Sequence, residues 1–311
     1  MIFKQSKNYS LIQLSKKMEK NHGEGRRIFL KNLSLLTGAM VLPTGQIAFG
    51  KAKKNGMKLG FVTYLWGKDW DQDTIIRNLS ASGIFGVELR VEHAHKVSPS
   101  LNKEERALVR KKFSDSPVQI VGMGTNQQYD YIEPAKLRES IEQTKAFFQL
   151  SRDIGGKGVK VKPNQFREGV PHEKTIEQIG LSLNELAKYG ADMGQTLRLE
   201  VHGNETQELP NIKAIMDVAN HPNATVCWNC NSQDLNGDGL EANFNMVKSR
   251  FGDICHVREL NDTTYPYQDL MNLFLKNKYE GWILLECRTD PADKVKALIE
   301  QKSIFDKMIG M

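Results

Sequence analysis

Beyond residue 50, short runs of β-branched and apolar residues alternate with longer segments whose apolar positions recur every three or four residues. The short runs predict strands at 58–65, 86–90, 118–123, 158–162, 196–201, 225–229, 254–258 and 282–286. The periodic segments predict helices at 74–82, 102–114, 134–154, 172–193, 211–219, 240–251, 267–276 and 291–308. Lys160, Glu200, Asn229, Arg258 and Glu286 stand near the ends of successive strands, in steps of 40, 29, 29 and 28 residues. A strand, a crossover helix and two loops take about thirty residues, so this spacing is that of βαβ units. Eight such units predict an α/β chain closed as a single-domain (β/α)8 barrel over residues 51–311. An open doubly wound sheet is the alternative. It is weakened because no Gly-rich phosphate loop follows any strand, and Gly155-Gly156-Lys157-Gly158 precedes one.

Barrel active sites are built where strands end, and charge collects there in this chain. The pairs are Glu88/Arg90, Lys160/Lys162, Glu200/His202, Asn229/Asn231, His256/Arg258 and Glu286/Arg288. Spacing of two puts both members of each pair on one face of the strand. A glutamate, an asparagine, a histidine and a glutamate on four consecutive strands can converge on a divalent cation, through Glu200, Asn229, His256 and Glu286. Glu200 and Glu286 are the expected catalytic carboxylates. Glu88, Lys160, Lys162, His202, Arg258 and Trp66 are the expected substrate contacts, with Tyr64 and Trp70 beside Trp66 as an apolar wall. The competing reading makes these charges salt bridges that cap the barrel mouth, and these aromatic residues ordinary core.

The full chain carries 43 Lys+Arg against 37 Asp+Glu. Residues 1–50 hold eight of the basic side chains and two of the acidic ones, so the remainder has 35 of each. A neutral body without a basic stripe argues against a nucleic-acid partner. Gly25-Arg-Arg-Ile-Phe-Leu-Lys31 precedes an uncharged, moderately apolar run that ends in Ala48-Phe49-Gly50. That order resembles a twin-arginine export signal, with translation beginning at Met1 or Met18. Residues 1–50 are accordingly expected to be a signal peptide and linker, the mature chain to be periplasmic or otherwise extracytoplasmic, and no membrane span to remain. Cys227, Cys230, Cys255 and Cys287 include one CxxC but no second, which argues for buried free thiols rather than a zinc ribbon.

The segments Phe85–Arg90, Leu197–Gly203, Val226–Asn231, His256–Asp262, Tyr265–Tyr267 and Tyr279–Glu286 together resemble the xylose-isomerase-like TIM barrels. This group of sugar isomerases, epimerases and dehydratases is often labelled sugar phosphate isomerase/epimerase. The resemblance spans about residues 57–308. It implies a divalent metal (Mn, Mg, Co or Zn) on Glu200, Asn229, a strand-seven histidine and Glu286. The family commonly reads His-Val-His-Leu-Lys-Asp on strand seven, whereas this chain reads His256-Val-Arg-Glu-Leu. Arg258 thus stands at the usual ligand position, and a guanidinium cannot bind a metal. Either His256 or Glu259 substitutes, or Arg258 itself polarises a substrate oxygen.

The implied function belongs to carbohydrate metabolism: isomerisation, epimerisation or elimination by proton abstraction beside a carbonyl, with Glu200 and Glu286 as acid and base. Export favours a non-phosphorylated keto sugar or glycoside. A Schiff-base lyase using Lys160 or Lys162 is a second enzymatic reading. The alternative outside catalysis is an extracytoplasmic carbohydrate-binding protein with a degenerate metal site. Homo-oligomerisation is compatible with either.

Overall fold

The computed structural model describes residues 56–311. The expected signal segment, residues 1–50, lies outside the described residues. Eight parallel strands alternate with eight helices: β1 Lys58–Val62, α1 Gln72–Ser82, β2 Gly86–Arg90, α2 Lys103–Ser114, β3 Gln119–Gln128, α3 Pro134–Asp153, β4 Gly158–Lys162 and α4 His172–Ala191. They continue as β5 Thr196–Glu200, α5 Leu209–Val218, β6 Ala224–Cys227, α6 Leu240–Val247, β7 Ile254–Val257, α7 Tyr267–Lys276, β8 Trp282–Leu285 and α8 Lys294–Met308. The hydrogen-bonded order is β6-β5-β4-β3-β2-β1-β8-β7. Between β6 and β7 the sheet is joined only by isolated bridges, Val226 to Phe251 and Asn229 to His256. The His256 N–H donates to the Trp228 carbonyl at 2.7 Å across that seam. The expected TIM barrel is present. No helix among the described residues is long and apolar enough to cross a membrane.

Alternation along each strand separates two apolar clusters. Outward residues such as Phe61, Val87, Val159, Leu199 and Leu285 pack with Ile75, Phe113, Phe148, Leu183 and Phe274 from the helices. The barrel interior holds a far smaller cluster, Val62, Val121, Cys227, Ile254 and Leu284. The rest of the lumen is charged. Arg198 is fully buried on β5, and its guanidinium makes two bonds to Asp253, at 2.8 and 2.7 Å. All four cysteines are buried and free.

Helix starts follow local chemistry. Asp71 accepts from the Thr74 N–H before α1, and Asn102 with Glu105 makes a reciprocal capping box before α2. Two strands differ in length from the sequence expectation by three residues or more, and four others by one. Strand β1 ends at Val62 rather than residue 65, because the Tyr64 N–H bonds back to the Val62 carbonyl and turns the chain. Strand β3 runs on to Gln128, with register irregularities against β2 and β4 that carry Thr125 and Asn126 up to the mouth.

The Arg198–Asp253 pair yields an asymmetric prediction. Asp253→Ala strands a buried guanidinium and is expected to lower unfolding free energy by about 3 kcal/mol in urea titrations. Arg198→Met leaves an aspartate whose side chain is 44% exposed, which water can solvate. It is expected to be the milder change; equal losses would contradict this account of the pair.

Candidate active site

The strand-end pairs face inward as their spacing requires, and the buried members form one connected set. Glu200 Oε2 accepts from Lys160 Nζ at 2.7 Å, and its Oε1 lies 3.0 Å from His256 Nδ1. On its other side the His256 ring places Nε2 3.3 Å from Glu88 Oε1. Glu286 Oε2 stands 3.9 Å from His256 Nδ1. Lys160, Glu88 and His256 are fully buried, and Glu200 and Glu286 nearly so. Gly124 beside Glu88 permits this packing, because a Cβ there would lie 2.5 Å from Glu88 Oε1.

Electrostatics follows from the contacts. Burial pushes the Glu200 pKa up, but Lys160 and His256 outweigh it and hold the carboxyl well below its ordinary value. Glu88 behaves similarly: burial raises it, and His256, Lys160 and Arg198 bring it below the usual range. Burial disfavours a charged His256, yet Cys227, Glu88 and Glu200 around it raise its pKa well above normal. His202 is driven down to about 4, chiefly by burial, with Lys162 and Lys160 adding to it against Glu200. Its Nδ1 is buried without a hydrogen-bond partner. Lys162 is lowered to about 8 by burial, by Lys160 and by Arg90.

Glu200, His256 and Glu286 each offer a ligand atom, and these atoms lie within 4.8 Å of one another. The surroundings fit a cation. With Nε2 turned to Glu88, His256 directs Nδ1 at two carboxylates, as a metal-ligating histidine oriented by an outer carboxylate does. An oxygen–nitrogen–oxygen donor set suits zinc, manganese or cobalt. Asn229 sits beside this group with its amide nitrogen 3.4 Å from Glu200 Oε1. Of the two alternatives for strand seven, His256 lies in the cluster. Glu259 does not: its Oε1 accepts from the backbone N–H groups of Arg288 and Thr289 and from the Thr289 hydroxyl, bracing the loop after β8.

The remaining expected residues fall on the rim. Trp66 is 2% exposed and donates from Nε1 to the Thr289 carbonyl at 2.9 Å, tying the loops after β1 and β8 together. Trp70 stacks on Phe61. Arg258 uses its backbone N–H on the Tyr267 hydroxyl, and its Nε is buried without a partner. Lys162 reaches Asn126 Oδ1 at 3.4 Å. The glycine of the Glu-Val-His-Gly segment is required by geometry: Gly203 has φ 102°, and a Cβ there would lie 1.6 Å from the Asn164 carbonyl oxygen. Thr206 Oγ1 bonds the Asn164 and His202 carbonyls, fixing the turn that follows Glu200.

Sequence reasoning missed Arg198, Thr125 and Asn126. Arg198 stands two residues before Glu200 and so on the same face, a signal that was available. Thr125 and Asn126 lie in the polar run Gly124-Thr-Asn-Gln-Gln128, which reads as loop. Asn231 turns away from the mouth. Its Nδ2 donates to the Val201 and Asn229 carbonyls, and its N–H to Asp234 Oδ2.

Asp234 also accepts from the Tyr265 hydroxyl at 2.7 Å, and burial raises its pKa from 3.8 to about 7. Between those values the folded state binds more protons than the unfolded one, so this group's contribution to stability falls as pH rises from about 4 to 7. Asp234→Asn keeps the acceptor and cannot ionise. Its melting temperature is expected to gain on the wild type as pH climbs through that window, and parallel curves would count against the assignment.

No curated protein matches the sequence at a significant level. Among solved structures the fold is similar to 3-keto-D-glucoside 4-epimerase, YcjR, from E. coli, with a TM-score of 0.67 and 13% identity over 81% of this chain and 99% of that one. It is also similar to D-allulose 3-epimerase from Methylomonas sp., with a TM-score of 0.70 and 14% identity over 81% and 98%. A third similar structure is the IolI protein with a bound zinc atom, with a TM-score of 0.67 and 12% identity over 82% and 98%. The family model for the xylose isomerase-like TIM barrel matches residues 76–306, and with the barrel and its mouth described, the chain belongs to that family.

Proposed function

We propose that the protein is an exported sugar epimerase or isomerase that moves a proton on a carbon next to a carbonyl, in a non-phosphorylated keto sugar or keto glycoside. The observation that carries this reading is the convergence of Glu200, His256 and Glu286 at the ends of β5, β7 and β8, with Lys160 bonded to Glu200. Similarity in fold to a 3-keto-glucoside 4-epimerase and an allulose 3-epimerase supports it.

The two carboxylates divide the work unequally. Glu200 rests ionised between Lys160 and His256 and acts as the second proton carrier by relaying a proton from His256 to the opposite face of the substrate. Glu286 has no hydrogen bond to its carboxylate among the described residues, which leaves it free to take the substrate proton as general base. Return of the proton to the opposite face inverts the carbon; return to the neighbouring carbon isomerises; loss of a β-hydroxyl gives the dehydratase outcome. Lys160 is the fixed positive charge for the enediolate oxygen. His202, neutral and with an open Nδ1, meets a sugar hydroxyl. A divalent cation on Glu200, His256 and Glu286, when bound, would polarise the substrate carbonyl as a Lewis acid.

Incubation of the protein with ketohexoses and 3-keto glycosides in D2O is expected to exchange a carbon-bound hydrogen, read by NMR. Glu286→Gln should slow that exchange by about a thousandfold while sugar binding persists. Tight binding without exchange or conversion would point instead to a carbohydrate-binding protein. Elemental analysis is expected to find a divalent metal that chelator removes, and His256→Ala should be purified with markedly less of it. Stoichiometric metal in His256→Ala would rule out the proposed ligand set.

A further inference from the structure

Pairing the charges of the barrel interior leaves positive charge over. Lys160 is matched by Glu200, His256 lies against Glu88, and Arg198 is closed by Asp253. Glu286 remains on the acidic side. Arg258 after β7, Arg90 at the end of β2 and Lys162 at the end of β4 remain on the basic side, and neither of the last two makes an ion pair with any described residue. Both instead approach one neutral atom, Asn126 Oδ1, with Arg90 Nη1 at 3.1 Å and Lys162 Nζ at 3.4 Å. Sharing that acceptor brings two like charges close together.

Structural cations elsewhere in this protein are neutralised by carboxylates, as Arg106 is by Asp153 and Arg167 by Asp130, or enclosed by several carbonyl groups, as Arg250 is by those of Met216, Ala219, His221 and Ala224. A single amide oxygen offers no such compensation, and crowding two partly buried cations around it is unfavourable unless an anion joins them. Arg90 is held in orientation. Its guanidinium lies over the Tyr64 ring at 5.7 Å, Nη1 also reaches the Thr125 carbonyl at 3.5 Å, and the backbone N–H is fixed by Thr63. Nη1 is thereby engaged and Nε is buried without a partner, which leaves Nη2, with no hydrogen bond to a described residue, as the donor a ligand can meet. Lys162 stands two residues beyond Lys160 on β4, the lysine whose Nζ bonds Glu200, so it lies on the same face and nearer the mouth.

We propose that Arg90 and Lys162 form an anion subsite that holds the carboxylate of a sugar acid, such as a uronic acid or uronide, beside the Glu200–Glu286 centre. This rests on the epimerase reading for the site it adjoins, and it narrows the substrate class from neutral to acidic sugars. A carboxylate matches a guanidinium with a donor left unengaged and a lysine at its flank. Phosphate shares the charge but is commonly cradled by several backbone N–H groups at a helix start, and the polar contacts of Arg90 and Lys162 are to a side-chain amide and a carbonyl.

Calorimetric titration of the full chain at low salt tests this with D-glucuronate and D-galacturonate, the neutral D-glucose and D-galactose, D-glucose 6-phosphate and inorganic phosphate. The uronates are expected to bind at least about tenfold more tightly than the neutral sugars, and added salt should erode the difference. Arg90→Gln and Lys162→Gln should each remove most of that preference, read as the ratio of uronate to neutral-sugar affinity within the same variant. Arg90→Lys, which keeps charge and loses the fork, should fall between. Equal affinity for acidic and neutral sugars, or a preference that survives both glutamine variants, overturns the subsite. Tighter binding of the sugar phosphate or of inorganic phosphate overturns the carboxylate assignment. Because binding is read without turnover, the two readings fail separately. Uronate binding with no hydrogen exchange in D2O removes the epimerase reading alone, whereas exchange on neutral keto sugars with no uronate preference removes the subsite alone.

Discussion

The imidazole of His256, set between Glu88 and Glu200, is the contact on which the interior of this barrel turns. It stands where a purely apolar lumen would have another aliphatic side chain, and a polar ring there obliges its neighbours to be polar too. Glu88 on one side and Glu200 on the other need compensation in turn, which Lys160 and Arg198 supply from β4 and β5. Arg198 then draws Asp253 to the opposite end of the barrel. One inward histidine thus propagates into a column of alternating charge along the barrel axis, and the apolar interior shrinks to five residues.

That column is also what separates structure from chemistry. Each fully buried member has an opposite charge in direct contact across the barrel interior, so its charge is held in place and barely available to solvent. The less tightly held groups stand nearer the mouth: Glu286, 3.9 Å from His256, and Arg90, Lys162 and Arg258, which make no ion pair with a described residue. Substrate therefore meets the under-compensated layer first, lying on a layer whose charges are already fixed. Preorganised charge of this kind needs no rearrangement when a proton moves, which is the principal way a rigid site lowers a barrier.

Much of this was legible from residue order. The thirty-residue repeat gave the barrel, and spacing of two at strand ends put Glu200, His256 and Glu286 on the inner face before any coordinates were considered. Helix and strand ends differed by a few residues because they are set by single hydrogen bonds, such as Tyr64 to Val62, that leave no trace in periodicity. Partner choice was not legible either. Nothing in the sequence says that Glu259 braces the loop after β8, because it lies two residues past the end of β7, where alternation no longer fixes a side. The mouth position of Asn126 depends on irregular pairing of β3 with β4, a tertiary effect on a stretch whose composition favours loop.

The seam between β6 and β7 gives the fold an unusual geography. Elsewhere neighbouring strands share ladders, irregular only along β3, but here two isolated bridges close the circle, and one joins Asn229 to His256. Local opening of a sheet is easiest where fewest backbone bonds resist it. In this barrel that place coincides with two residues of the site itself. The width of the chamber and the integrity of the cylinder are consequently one variable, so that a ligand drawing β5, β7 and β8 together would act as a clasp on the whole ring.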